Sequence, residues 1–136
     1  MGDKRVGGNE AVIEASEYAD GSMPFFDSSV VATVETLKAS SGRLYLLEVS
    51  NPNVDQDLWL QLFDVSGTVT LGTTTPKQSY LIPAAVQQGA AVKRGAFDRS
   101  FVIPLQFDNA IKYAVTTTPA GNGAPGAGVT LNASYR

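Results

Sequence analysis

The chain contains no cysteine and no histidine. The first absence excludes disulfides, thiolate nucleophiles and cysteine-based zinc sites. The second removes the side chain that most often acts as a general base near neutral pH. Charge is scarce as well: 17% of the 136 residues are Asp, Glu, Lys or Arg, against roughly a quarter in an average domain. Ten basic and 13 acidic residues leave a net charge of -3, and the basic clusters are no longer than the pairs Lys4-Arg5 and Lys93-Arg94. A duplex-binding surface needs a basic stripe, so no nucleic-acid partner is expected. Apolar runs reach four or five residues, far short of the roughly 18 that span a bilayer, so no membrane partner is expected. Asp3, Glu10, Glu14 and Glu17 stand where a secretory signal would need an apolar stretch.

What remains is β-forming. Hydrophobic residues make up 43%, and Val, Thr and Gly are abundant, with eleven Thr and 13 Gly. This length supports one domain with a packed core, and the balance of residues favours strands. From Val30 onward, segments of period two recur between turn signals. Strands are expected over 30–37, 43–50, 57–64, 68–71, 77–82, 100–107, 110–117 and 129–135. The clearest is 57–64, where Leu58, Leu60 and Leu62 share one face and Trp59, Gln61 and Phe63 the other. In 100–107, Phe101, Ile103, Leu105 and Phe107 share a face, and Pro104 argues for an edge strand or a bulge. Residues 84–96 read as a loop. The expected fold is all-β: an antiparallel sandwich of about eight strands, jelly-roll-like, spanning 29–136. Residues 1–28, broken by Gly21, Ser22 and Pro24, read as an N-terminal arm.

Few constellations suggest chemistry. Gly121-Asn122-Gly123-Ala124-Pro125-Gly126 matches G-x-G-x-x-G, but Pro125 and a β-type segment follow where a dinucleotide site needs a helix. Asn51, Asn53, Asp55 and Asp57 alternate like the start of a calcium loop, yet Gln56 and Leu62 replace its required Gly and Glu. A capped turn accounts for the same residues. Asp64, Asp98 and Asp108 fall at expected strand ends, where a carboxylate pair could serve a glycosidase or simply form turns. Ser66-Gly67 lacks the preceding Gly of a nucleophile elbow, and Asn132-Ala133-Ser134 matches a glycosylation sequon inside an expected strand. No catalytic residue, metal or cofactor is assigned. The more informative anomaly is apolar bulk on both faces of two strands. With Tyr45, Leu47 and Val49 on the core face of 43–50, Leu44 and Leu46 point outward, as do Trp59 and Phe63 on the next strand. Leu44, Leu46, Trp59 and Phe63 are therefore the expected subunit interface.

A series of short phrases carries a likeness. Leu44-Tyr45, Val49-Ser50-Asn51-Pro52-Asn53, Leu60-Gln61-Leu62-Phe63-Asp64, Leu71-Gly72-Thr73-Thr74-Thr75-Pro76, Ala114-Val115-Thr116-Thr117-Thr118 and the ending Gly128 to Arg136 occur in that order. Over residues 40–136 the chain resembles small virion structural proteins of tailed bacteriophages. Residues 1–28 and 84–99 depart from that pattern. The resemblance implies a non-enzymatic virion component, a decoration or cement protein of the head. Its partners would be the major capsid protein or other virion proteins, and it would act as a homo-oligomer, with a trimer favoured to match threefold positions of a shell. A fibre- or tail-associated module binding a host-surface glycan is the alternative, with Tyr80, Tyr113 or Tyr135 as its aromatic platform.

Overall fold

The computed structural model describes residues 18–136. Among them there is no helix, and hence none long and apolar enough to cross a membrane. The strands are β1 (Met23–Val30), β2 (Glu35–Lys38), β3 (Gly42–Asn51), β4 (Leu58–Phe63), β5 (Gln78–Ile82), β6 (Val86–Gln88), β7 (Ala91–Lys93), β8 (Gly95–Phe107), β9 (Ile111–Thr116) and β10 (Val129–Tyr135). Eight of them form two four-stranded sheets, ordered β1-β10-β3-β8 (sheet A) and β2-β9-β4-β5 (sheet B), with every named pairing antiparallel. Among these eight, the chain changes sheet at every connection except β4 to β5. This order is that of a jelly roll. β6 and β7 form a separate hairpin inserted between β5 and β8.

Alternating side chains build the core between the sheets. Leu47 and Val49 of β3 and Leu131 and Ala133 of β10 face Leu58, Leu60 and Leu62 of β4 and Ile111, Tyr113 and Val115 of β9. Phe25 meets Tyr113 edge to face at 5.8 Å between ring centres. Tyr80 of β5 and Phe97 of β8 stack at 5.1 Å, closing the side of the sandwich where both sheets end.

The structure departs from the expected pattern at four places. Residues 23–27, expected in an arm, pair with β10 as the first strand of sheet A, so the sandwich starts before residue 29. Residues 1–17 of that expected arm lie outside the described residues. The expected strand 68–71 does not form, and the expected loop 84–96 contains the β6–β7 hairpin. Above all, the β3–β8 register jumps. Leu44 pairs with Leu105 and the next partners are Leu46 and Ser100, so β8 carries three more residues than β3 across that interval. The excess bulges out as 101–104, and β3 shifts its alternation opposite it.

The loops β1–β2, β3–β4, β5–β8 and β9–β10 gather at one end of a jelly roll, and hydrogen bonds clasp the last three together. Asn51 is fully buried. It donates to the carbonyls of Gln56 and Pro83 and accepts from the backbone and side-chain N–H of Asn53. Asn53 exchanges hydrogen bonds with Ala127 of the β9–β10 loop, and Gly126 donates to Gln56. A parallel bridge joins Val54 to Ala85, and the Asp57 carboxylate accepts from the Ala84 N–H. Gly95 lies so close to the Pro83 carbonyl that a Cβ there would sit 1.9 Å from its oxygen, which restricts that position to glycine.

Candidate functional site

The four expected interface residues do not share one surface. Leu44 is 1% exposed and Phe63 0%, both inside the single chain. The register jump turns Leu44 inward beside Leu47, against the outward reading from simple alternation. Phe63 does point away from Leu62, but that face is covered by the chain itself. Its register partner Lys112 reaches the carbonyls of Ser66 and Gly67, holding the segment after β4 over the outer side of sheet B. Leu46 and Trp59 are half-buried, Leu46 on the outer side of sheet A and Trp59 on that of sheet B.

Gln61, on the same side as Trp59 and Phe63, explains the Gly-rich loop. Its amide donates to the Thr116 hydroxyl and to the Gly121 carbonyl, which seats residues 117–123 over β4. Thr117 closes the loop by donating its N–H to the Gly123 carbonyl. No helix follows, so the G-x-G-x-x-G match is a strand connection. The Gln61 Oε1 and the hydroxyl of its cross-strand partner Ser79 are buried with no hydrogen-bond partner among the described residues.

Of the carboxylates considered as a catalytic pair, Asp64 and Asp108 lie side by side and Asp98 is apart from both. Asp64 accepts from the backbone N–H groups of Asp108, Asn109 and Ala110 at the end of the sandwich away from the loop clasp. Burial pushes its carboxyl up, but those donors and Lys77 outweigh burial and hold it below its ordinary value. Asp98 lies on β8 in the other sheet, paired across the ladder with Glu48. The calcium-like series is spent on the loop clasp: the side chains of Asn51, Asn53 and Asp57 each bind backbone. Among the described residues no group of three or more carboxylates can hold a metal ion.

The tyrosines considered as a platform are mostly withdrawn. Tyr113 is buried and donates its hydroxyl to Asp27 at 2.7 Å. Burial and that carboxylate raise its pKa far above the usual tyrosine range. Tyr80 is stacked on Phe97 with the Arg99 guanidinium over its ring, and Tyr135 is half-buried. The exposed apolar groups are elsewhere. Val102 is 100% exposed and Ile103 84%, at the tip of the 101–104 bulge, although alternation places Ile103 on one face with Phe107, which is buried. Phe26 of β1 is 61% exposed. Strict alternation conceals the first site, and the second fell in the segment read as an arm. The Pro104 signal for a bulge was the one local clue. No protein-family model, no curated protein and no solved structure matches the chain.

Proposed function

We propose that this protein is a non-enzymatic structural component of a bacteriophage virion, a decoration or cement protein that binds the assembled head. The observation that carries the reading is the apolar bulge Val102-Ile103, projecting from edge strand β8 with half-buried Leu46 beside it. Two branched aliphatic side chains fully in water, on an edge, form a contact that a second surface covers. The resemblance of the ordered phrases to small phage virion proteins favours a capsid lattice as that surface, with the major capsid protein as partner. Trp59 on the opposite sheet is left for contact between copies in a homotrimer.

The mechanism needs no chemistry. A protein that binds the assembled lattice and not its free subunits stabilises the lattice by mass action. Copies joined in a closed ring engage several lattice sites at once, so a modest contact gains avidity. Co-sedimentation with expanded capsids tests the reading. The parent chain is expected to pellet with capsids and to raise the temperature at which they come apart. Ile103→Asp is expected to fold normally and stay in the supernatant. Equal pelleting of the folded Ile103→Asp variant and the parent refutes the bulge as the contact. Failure of the parent to bind any capsid refutes the role.

A further inference from the structure

The loop between β9 and β10 carries the one Asn-Gly pair of the chain, Asn122-Gly123. Packing fixes that glycine. A Cβ at 123 would run into the Thr117 hydroxyl and one at 121 into the Thr118 hydroxyl, so Asn122 stands between two positions restricted to glycine. The loop hangs on the carbonyls either side of Asn122. Gly121 accepts from the Gln61 amide at 3.0 Å, and Gly123 accepts from the Thr117 N–H at 3.1 Å. Asn122 itself is exposed, with its side chain beside Gly72 of the β4–β5 connection.

An asparagine loses ammonia when the backbone nitrogen of the next residue attacks its side-chain carbonyl carbon. That requires an unhindered, unengaged N–H on the next residue and a side-chain amide free to turn. Five asparagines lie among the described residues, and four of them fail. Asn51 precedes Pro52, which has no N–H, and its own amide is held in four hydrogen bonds. Asn53 precedes the branched Val54, and both ends of its amide are tied to Ala127. After Asn109, the Ala110 N–H is donated to Asp64. Asn132 and Ala133 are paired on both sides within β10. Asn122 meets the requirements. Among the described residues, neither its amide nor the Gly123 N–H has a hydrogen-bond partner, and Gly123 has no side chain to obstruct the approach.

We propose that Asn122 is a site of spontaneous covalent modification, deamidation through a cyclic imide, and that its isoaspartate product releases the loop from β4. The Gly123 nitrogen gives its proton to solvent and bonds to Asn122 Cγ. The Cγ–Nδ2 bond breaks, and Nδ2 leaves as ammonia with a proton from water. Water then opens the imide at one of its two carbonyls. Cleavage of the new N–Cγ bond gives aspartate with the original backbone. Cleavage of the original peptide bond gives isoaspartate, whose main chain runs through the side-chain carbon. Nothing is oxidised or reduced, and water is the only co-reactant. Isoaspartate lengthens the chain between the Gly121 and Gly123 carbonyls, so the bonds from Gln61 and Thr117 no longer fit one loop. Aspartate keeps that spacing and adds only a charge. The inference stands independently of the proposed shell contact, because the reaction needs no partner.

Incubating the purified full chain at mildly alkaline pH tests the proposal, with peptide mapping by a fragmentation method that tells isoaspartate from aspartate. Asn122 is expected to convert about tenfold or more faster than any other described asparagine, the rate equivalent of one hydrogen bond that need not be broken. Conversion is expected to quicken as pH rises, because the attacking nitrogen must lose its proton. Asn122→Gln is expected to stay intact over the same period, because its longer side chain would have to close a larger ring. Hydrogen exchange at the Thr117 amide is expected to accelerate in the isoaspartate fraction and to stay at the parent rate in Asn122→Asp. Asn122 that persists in the folded chain but converts in urea overturns the proposal, because the fold then protects the site. Faster conversion at another described asparagine overturns it too, and parent-like Thr117 exchange in the isoaspartate fraction overturns the release of the loop.

Discussion

Replacing Asn51 with Ala tests whether the clasped loop end holds the sandwich together. Asn51 donates at 2.9 Å to Gln56 and 3.0 Å to Pro83, and accepts at 2.8 and 2.9 Å from the two N–H groups of Asn53. Truncation removes all four bonds at a site with no exposed surface. Each is worth about 1 kcal/mol net, and more where the partner is left buried and unpaired. The Asn53 amide retains its bond to Ala127, so three bonds dominate and the expected loss is about 3 kcal/mol. For a chain of this size that lowers the melting temperature by about 10–15 °C. Asn51→Asp is expected to lose as much or more, because it turns a carboxylate toward two carbonyl oxygens. Urea unfolding followed by the fluorescence of Trp59, the single tryptophan, measures the loss. Hydrogen exchange at the Ala85 and Ala127 amides, both in the clasp, is expected to accelerate in the same variant. Gln87→Ala, which removes only exposed bonds within the β6–β7 hairpin, serves as control and is expected to stay within about 0.5 kcal/mol of the parent. An Asn51→Ala loss below about 1 kcal/mol would refute the claim that this side chain locks three loops.

Phe63→Ala is expected to cost about 3–5 kcal/mol, as an aromatic removed from a closed site does, and to leave the solution mass of any surviving folded protein unchanged. A Phe63→Ala protein that unfolds like the parent but changes its oligomeric mass would restore Phe63 to the interface. Tyr113→Phe removes the bond to Asp27 and should lower stability by about 1 kcal/mol near neutrality. Because the folded-state tyrosine pKa is raised, the parent keeps this tyrosine's contribution in full below about pH 10 and loses stability as pH rises beyond it. The variant should show a flatter alkaline slope in denaturant titrations, and identical slopes would contradict the assignment. Asp64 has the opposite sign. Its carboxyl is lowered, so its contribution is present above about pH 4 and fades as pH falls further, and Asp64→Asn should differ from the parent near pH 7 but converge with it in acid. A gap that persists undiminished at low pH would show that the carboxylate charge is not what matters.

Much of the strand pattern could be read from residue order alone. Segments 43–50, 57–64, 77–82, 110–117 and 129–135 fall on β3, β4, β5, β9 and β10, because each alternates over at least five residues between turn-forming clusters. β1 was not legible. Met23–Val30 mixes Pro24, Asp27, Ser28 and Ser29 with aromatics and acquires strand geometry by hydrogen bonding to β10, more than a hundred residues away. The loop clasp was half visible: Asn51 and Asp57 read as turn residues, but their partners Pro83 and Ala84 belong to a distant loop.

Composition, alternation and the missing cysteine and histidine by themselves determine an all-β chain with a core of Leu, Val, Ile and aromatic residues, because those are properties of short stretches and totals. Tertiary structure decided which apolar residues remain outside. One register jump between β3 and β8 sent Leu44 inward and pushed Val102 and Ile103 into water. Lys112, reaching back to Ser66 and Gly67, helps fold the chain's own loop over the face that carries Phe63. Parity along a strand is local, but a bulge and a covering loop depend on partners far away in the chain, and no window on either strand contains them.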